Sequence, residues 1–269
     1  TAGSDNTASG SNALESNTTG NYNTAQGRFS LRLNKTGYSN AAIGISALYN
    51  SSEGHNMVAV GDSALFSQVL GHNTYDPETG ELLSIDYENT AIGSKSMYSN
   101  TSGYNNTATG FRSLYTNTTG SNNTAAGYMA LFNSTANDNT AFGSSALVQN
   151  KEGANNTGVG RIALASNISG NENTATGANS LTTNSTGSYN TAIGFSALSL
   201  NTTQIRNTAV GWSAGAYHTS SSSTYVGAKA SSSVNGISNS MALGFLASVS
   251  ASYQVRVGSA SITSIGGQV

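Results

Sequence analysis

The residue types best suited to binding or catalysis are concentrated in one stretch of this chain, positions 69–88. It holds five carboxylates, a histidine, two tyrosines and the single proline of the sequence: His72, Tyr75, Asp76, Pro77, Glu78, Glu81, Asp86, Tyr87 and Glu88. Carboxylates beside aromatic rings suit a loop that contacts a receptor or a cation, since connecting loops carry much of protein function. The alternative is a solvated decoration, because insertions are widely tolerated in repeat proteins.

The same stretch predicts a β-hairpin. The residues Asp76–Gly80 read DPETG, a turn signature, and they lie between the short strand-like pairs 74–75 and 82–83. A hairpin would present the polar side chains of this stretch together. We therefore predict binding residues at His72, Tyr75, Asp76, Glu78, Glu81, Tyr87 and, outside the hairpin, Trp212.

The titratable residues do not form a recognisable catalytic or metal-binding motif. His55, His72 and His218 have no metal-ligand spacing, and the acids of positions 69–88 lack the spacing of a calcium loop. Glycoside hydrolysis needs two acids about 5–9.5 Å apart, and no position of the repeat described below carries acids in successive units. We predict no enzyme, no metal and no cofactor. A polysaccharide depolymerase with an acid pair formed between chains stays open as an alternative.

Composition narrows the class of protein. Charged residues make up 8% of the 269 positions, the net charge is −2, and cysteine is absent. Nucleic-acid binding would need a basic face, so no such partner is predicted. Since no apolar run approaches about 18 residues, we predict no membrane insertion in this segment.

The element that must position these residues is a repeat of 17 residues. The phrase Asn-Thr-Ala-x-Gly recurs, and a 15-residue insertion interrupts it once, between Gly61 and Gly93. Its glycines are Gly10, Gly27, Gly44, Gly61, Gly93, Gly110, Gly127, Gly143, Gly160, Gly177, Gly194 and Gly211. The chain divides into regular repeats at 1–211, with the inserted hairpin at about 69–88, and degenerate Ser/Ala-rich coils with a C-terminal transition segment at 212–269.

Each column of the repeat has a structural interpretation. Asn four residues before the glycine predicts an amide ladder between stacked coils, and Ala two before it predicts a narrow interior. Leu four residues after the glycine predicts a column of buried hydrophobic side chains. The aromatic residues that directly follow these leucines are predicted to point outward, onto a partner chain or into solvent. Seventeen residues fit two short strands with two tight turns. The fold class is therefore all-β, a parallel β-solenoid.

A threonine column precedes each Ala, at positions such as Thr174, Thr191 and Thr208. Ordered threonines on a flat sheet suggest ice binding. The residue two positions further on varies, for example Gln26 and Phe142, so we interpret the column as structural and keep an ice-binding solenoid as an alternative.

Three segments resemble known fibre proteins. Asn239–Ala251, NSMALGFLASVSA, resembles the head repeats of trimeric autotransporter adhesins, and Asn190–Leu198, NTAIGFSAL, resembles repeats of phage and bacterial tail-fibre-like proteins. Val255–Val269, VRVGSASITSIGGQV, is similar to the segment before the intramolecular chaperone of tail fibres and endosialidases. The resemblance implies a left-handed β-roll packed as a homotrimer.

The expected function follows from this resemblance. It is a structural and adhesive segment of an extracellular fibre, on a virion tail or a bacterial cell surface. Such a fibre attaches to a cell-surface receptor or glycan, and trimeric copies add avidity. Exposed aromatics that suit sugar binding include Trp212, Tyr217 and Phe245.

Overall fold

The computed structural model describes residues 3–69, 72–75, 82–86, 88–217 and 219–262, with only the backbone described for 72–75 and 82–86. The described residues contain no helix, and so none long and apolar enough to cross a membrane. The strands are β1 (Thr7–Ser9), β2 (Thr24–Gln26), β3 (Ala41–Ile43), β4 (Val58–Val60), β5 (His72–Tyr75), β6 (Leu82–Asp86), β7 (Thr90–Ile92), β8 (Thr107–Thr109), β9 (Thr124–Ala126), β10 (Thr140–Phe142), β11 (Thr157–Val159), β12 (Thr174–Thr176), β13 (Thr191–Ile193), β14 (Thr208–Val210), β15 (Thr224–Val226), β16 (Ser231–Ser232), β17 (Met241–Leu243), β18 (Ser248–Val249) and β19 (Val255–Val257).

The strands build a parallel β-solenoid of about 14 turns with coils of about 17 residues, which confirms the predicted solenoid. The chain divides into two compact units, Thr1–Ala141 and Phe142–Val269. In the first unit β1, β2, β3, β4, β7, β8 and β9 pair in that order, all parallel. In the second unit β11, β12, β13, β14, β15, β17 and β19 pair in the same way.

Each regular coil contains one three-residue strand, so the prediction of two strands per coil is wrong for the regular repeats. The Leu column lies in turns instead, because its residues adopt left-handed backbone angles, as at Leu114 (φ 49°) and Leu181 (φ 47°). Such angles cost a non-glycine residue about 1–2 kcal/mol. Burial offsets this cost, since both leucine side chains are fully buried.

The interior of the coils is narrow and apolar, as predicted. The middle residue of each regular strand points inward and is usually Ala, fully buried in the cases of Ala25, Ala108 and Ala192. A glycine takes this place at Gly158. The small side chains on the strand side leave room for the leucines that pack from the opposite side.

Two columns of asparagine confirm the predicted amide ladder. In the first ladder, Asn173 donates from both its backbone N and its Nδ2 to Oδ1 of Asn156, at 3.0 and 3.1 Å. In the second, Asn184 Nδ2 donates to Asn167 Oδ1 at 2.8 Å. Both ladders also donate to one carbonyl, that of Gly187, at 2.8 and 2.9 Å. Each coil is thus bonded to the next through its interior as well as through its strand.

The insertion enters between β4 and β7 without breaking the stack, since these two strands pair with each other. Strands β5 and β6 pair antiparallel, which agrees with the predicted hairpin. Met57 replaces the asparagine of the first ladder in the coil before the insertion. Gln68, one methylene longer than asparagine, compensates: its Oε1 accepts from Nδ2 of both Asn89 and Asn100.

The coils after Trp212 differ in their packing. Tyr225 replaces the inward Ala and is buried, and the Leu position of the preceding coil is Gly215. A Cβ on Gly215 would lie 2.8 Å from the Tyr225 ring, so the two replacements depend on each other. Further on, serines replace the left-handed leucines, and a second pair of parallel strands forms, β16 with β18. Among the described residues, two strands per coil therefore occur only here.

Candidate binding surface

Most of the predicted site residues lie in the hairpin, and the structure gives no side-chain arrangement for them. His72 and Tyr75 belong to β5, for which only the backbone is described. Asp76, Glu78, Glu81 and Tyr87 lie outside the described residues. Their role in binding, and the acid pair of a depolymerase, stay predictions.

Trp212 lies on the outside of the solenoid. It directly follows Gly211, whose φ of 134° turns the chain at the end of β14, and its side chain is 49% exposed. The Nζ atom of Lys229, from the next coil, lies 4.6 Å from the centre of its ring. A cation over the face of an indole is a stabilising contact, so one face of this ring is already covered.

The other aromatics named from the sequence are exposed as well. Tyr217 and Phe245 each leave more than half of their side chain accessible, and Phe195, which precedes Trp212 by one coil, does the same. The backbone N of Ser213 donates to the carbonyl of Phe195 at 2.8 Å, so the two coils are adjacent here. Among these residues, Trp212 contacts a cation.

The outer face of the sheet is defined by the first and third residues of each strand. In the second unit the third positions from β13 onward form an apolar column in register: Ile193, Val210, Val226, Leu243 and Val257. Ile193, Leu243 and Val257 are exposed in a single copy of the chain. In the first unit, Ile43 and Ile92 occupy the same position and are also exposed.

An aromatic stack lies on the outside of the first unit. It consists of the residues directly after the Leu column, namely Tyr49, Phe66, Tyr98, Tyr115 and Phe132. The ring centres of successive coils are 5.1, 5.1, 5.4 and 5.1 Å apart, with interplanar angles of 17° or less. The rings are partly exposed. They face outward as predicted, although the predicted cause, alternation along a strand, does not apply.

An ion pair ends this stack. Glu15 and Arg32 occupy the same column in the two preceding coils, with Nε of Arg32 2.5 Å from Oε2 of Glu15. Arg32 Nη1 donates to the Tyr49 hydroxyl at 2.7 Å. The hydrogen bond from Arg32 lowers the pKa of Glu15, and the same bond raises the pKa of Arg32. The aromatic column was predicted from the sequence. The ion pair at its end was not predicted, although the equal spacing of positions 15, 32 and 49 could have indicated it.

Cations also flank the stack. The guanidinium of Arg112 lies between two rings, 5.0 Å from the centre of Phe111 and 5.5 Å from that of Tyr115. Lys95 occupies the same column one coil earlier, three residues before Tyr98 in the chain. Arg112 therefore places positive charge beside the stack, and Arg32 places it at one end.

Histidine and carboxylate side chains are scattered over the surface. The ring of His55 stacks on that of Tyr38 at 4.6 Å. Across the ranges that the structure describes, no three His, Asp or Glu side chains come close enough to hold a metal ion. The aromatic rings, aliphatic side chains and cations of these surfaces suit noncovalent contacts with a partner.

The chain matches no protein-family model, and no curated protein is similar to it.

Proposed function

We propose that this chain is a segment of a homotrimeric extracellular fibre that attaches to a receptor or glycan on a host cell. The observation that carries the proposal is the outer face of the sheet in the second unit. Its third-position column from Ile193 to Val257 is apolar and in register, and three of its five members are exposed. Exposed apolar columns of this length mark interaction surfaces.

Further copies of the same chain fit this face best. The first and third positions of β11 to β15, β17 and β19 carry no charged side chain. A second copy presents the same rung spacing of about 4.7–4.9 Å, so side chains of the two columns can interdigitate along their length. Closed cyclic symmetry then covers the face in every copy.

The finer features of the proposal come from the resemblance to trimeric adhesins and tail fibres. These are a left-handed coil, three copies, and a place on a virion tail or a bacterial cell surface. The exposed aromatics around Trp212 and the hairpin of residues 69–88 are the proposed contacts with the receptor. The chain acts as a stiff support that binds and does not catalyse.

The trimer is tested by light scattering on the purified chain, whose expected mass is three times 27.3 kDa. A double variant with Ile193→Lys and Leu243→Lys places two charges on the sheet face and is expected to run as a monomer. The matched control, Thr186→Lys with Thr203→Lys, adds the same charge on exposed turns and should stay trimeric. A monomeric parent chain, or equal behaviour of both variants, would contradict the proposed interface.

Attachment is tested separately with the trimer on immobilised cell-surface glycans. We expect binding without turnover, weakened by Trp212→Ala and by deletion of residues 70–87. Release of oligosaccharides that is lost in Asp76→Asn or Glu78→Gln would instead identify a depolymerase.

A second candidate, ice binding, is favoured by one observation on the same face. From β11 to β15 the first position is always Thr and the third is always β-branched: Val159, Thr176, Ile193, Val210 and Val226. This regularity was not apparent from the sequence, where earlier repeats vary. A monomer with thermal hysteresis that is lost in Thr191→Lys would support ice binding, whereas a trimer without hysteresis excludes it.

A further inference from the structure

The aromatic stack of the first unit is not required by the fold. In the second unit the same column holds Val148, Ala165, Thr182 and Ser199. The coils that carry these residues have the same three-residue strand, the same buried leucines and the same amide ladders. A small or polar residue therefore suffices at this position, and five successive aromatic rings add a property beyond stable folding.

The geometry of the stack determines what it can contact. Because each ring lies against the next at 5.1–5.4 Å, the inner ring faces are occupied by neighbouring rings. The partly exposed edges form a ridge along the coil axis. Aromatic rings carry negative charge density on their faces and positive charge on their edges. A ridge of ring edges therefore attracts the face of another aromatic system, laid across several rungs.

The cations near the ridge have the same sign as the ring edges. Arg112 contacts the Tyr115 ring, and Lys95 lies in the same column one coil before it. Arg32 lies at the end of the stack and contacts the Tyr49 ring at 5.7 Å. Glu15, the acid that shares the column of the stack, is paired with Arg32. A ligand that carries acidic groups on a planar aromatic body complements both features.

We propose that the aromatic stack, together with Lys95 and Arg112, is a binding site for elongated planar aromatic acids. The ligand lies flat across the ring edges of Phe66, Tyr98 and Tyr115, with its long axis along the solenoid. Its acidic groups pair with the two cations beside the stack. The site uses none of the residues of the proposed trimer face and does not depend on attachment to a receptor.

The test uses the purified 269-residue chain and Congo red, an elongated planar dye with two sulfonates, as the probe. We expect saturable binding by equilibrium dialysis and an induced circular dichroism signal from the bound dye. In the double variant Phe66→Ser with Tyr98→Ser, affinity should fall at least tenfold. Serine is chosen because the same column of the second unit already holds Ser199.

Two further variants make the test specific. Phe195→Ser with Tyr189→Ser removes one Phe and one Tyr that are exposed elsewhere, and it should bind the dye like the parent chain. Lys95→Gln with Arg112→Gln leaves the stack in place and should weaken binding at least threefold. If far-ultraviolet circular dichroism shows that the serine variant does not fold, the charge variant tests the proposal in its place.

Three results would overturn the proposal. The first is the absence of saturable dye binding by the parent chain. The second is equal loss of binding in the stack variant and in the Phe195/Tyr189 control. The third is unchanged affinity in the charge variant, which would show that the acidic groups of the ligand have no partner beside the stack.

Discussion

At the scale of single residues, the coils depend on buried amides that pair between successive coils. The side chain of Asn173 is fully buried, and its donors are satisfied by Asn156 and Gly187. A buried polar group without a partner costs about 1–3 kcal/mol. Any position that interrupts a ladder is therefore a local weakness of the solenoid.

Ser51 is such an interruption. It occupies the second ladder one coil after Asn34, and within the described residues neither its Oγ nor Oδ1 of Asn34 has a hydrogen-bond partner, although both are buried. The substitution Ser51→Asn supplies the missing donor and should stabilise the chain by about 1 kcal/mol. Thermal unfolding should show a midpoint raised by about 2–4 °C. The control Ser52→Asn makes the same change one residue along, at a partly exposed position, and should leave the midpoint unchanged.

At the scale of the structural element, the coil is defined by where its backbone turns. The glycine after each regular strand adopts a φ near 130°, and the carbonyl of the equivalent glycine in the next coil lies directly against it. The glycines ten residues later have no positive φ but approach the next coil just as closely, as at Gly170. The requirement for a turn explains the glycines that follow the strands. The close approach of the next coil explains both these glycines and those ten residues later.

The substitution Gly177→Ala tests this requirement. Its Cβ would lie 2.6 Å from the backbone C and O of Gly194, at a φ of 125°. We expect a loss of at least about 2 kcal/mol in the free energy of unfolding, since backbone strain and a clash with backbone act together.

Gly236→Ala is the matched control. This glycine has a φ of 74°, but nothing lies within 4 Å of an added Cβ. Its cost should be that of the backbone angle alone, about 1–2 kcal/mol. Equal losses in the two variants, measured by denaturant unfolding, would argue against the close approach of successive coils as the cause.

At the scale of the whole molecule, each copy buries few large apolar side chains and exposes many. Its interior is mostly Ala, Leu and Asn, whereas isoleucines and valines of the strands point outward. A fold of this kind gains stability when identical copies cover each other. Stability and assembly are therefore expected to be linked.

This linkage makes the unfolding temperature depend on concentration. If the chain unfolds from the proposed trimer, the midpoint should rise by about 2 °C for each tenfold increase in protein concentration, given the unfolding enthalpy of a trimer of this size. Differential scanning calorimetry across a hundredfold range measures this. The Ile193→Lys and Leu243→Lys double variant should show no such dependence, and a concentration-independent parent chain would contradict the linkage.

Much of the fold could be predicted because the same residue types recur at the same positions of many repeats. The columns of Asn23, Ala25 and Leu31 recur with a fixed spacing, and each has one interpretation that holds in most coils. The number of strands per coil could not be predicted, because left-handed angles at leucine follow from packing and not from any local preference of the residue. The hairpin was signalled by its turn residues, whereas the partners of its side chains were not.

The sequence by itself determined the parallel solenoid, its period, the amide ladders and the place of the insertion. Each of these follows from residue type and spacing, since stacking brings equivalent positions together whatever the shape of the coil. Only the tertiary structure decided what those columns do beyond stacking. It arranged Tyr49 to Phe132 face to face, placed Glu15 and Arg32 at their end, and paired Tyr225 with Gly215. These contacts depend on distances and directions that spacing does not specify. The aromatic and aliphatic columns of the solenoid are therefore candidate surfaces beside the hairpin, whose predicted role stays a prediction.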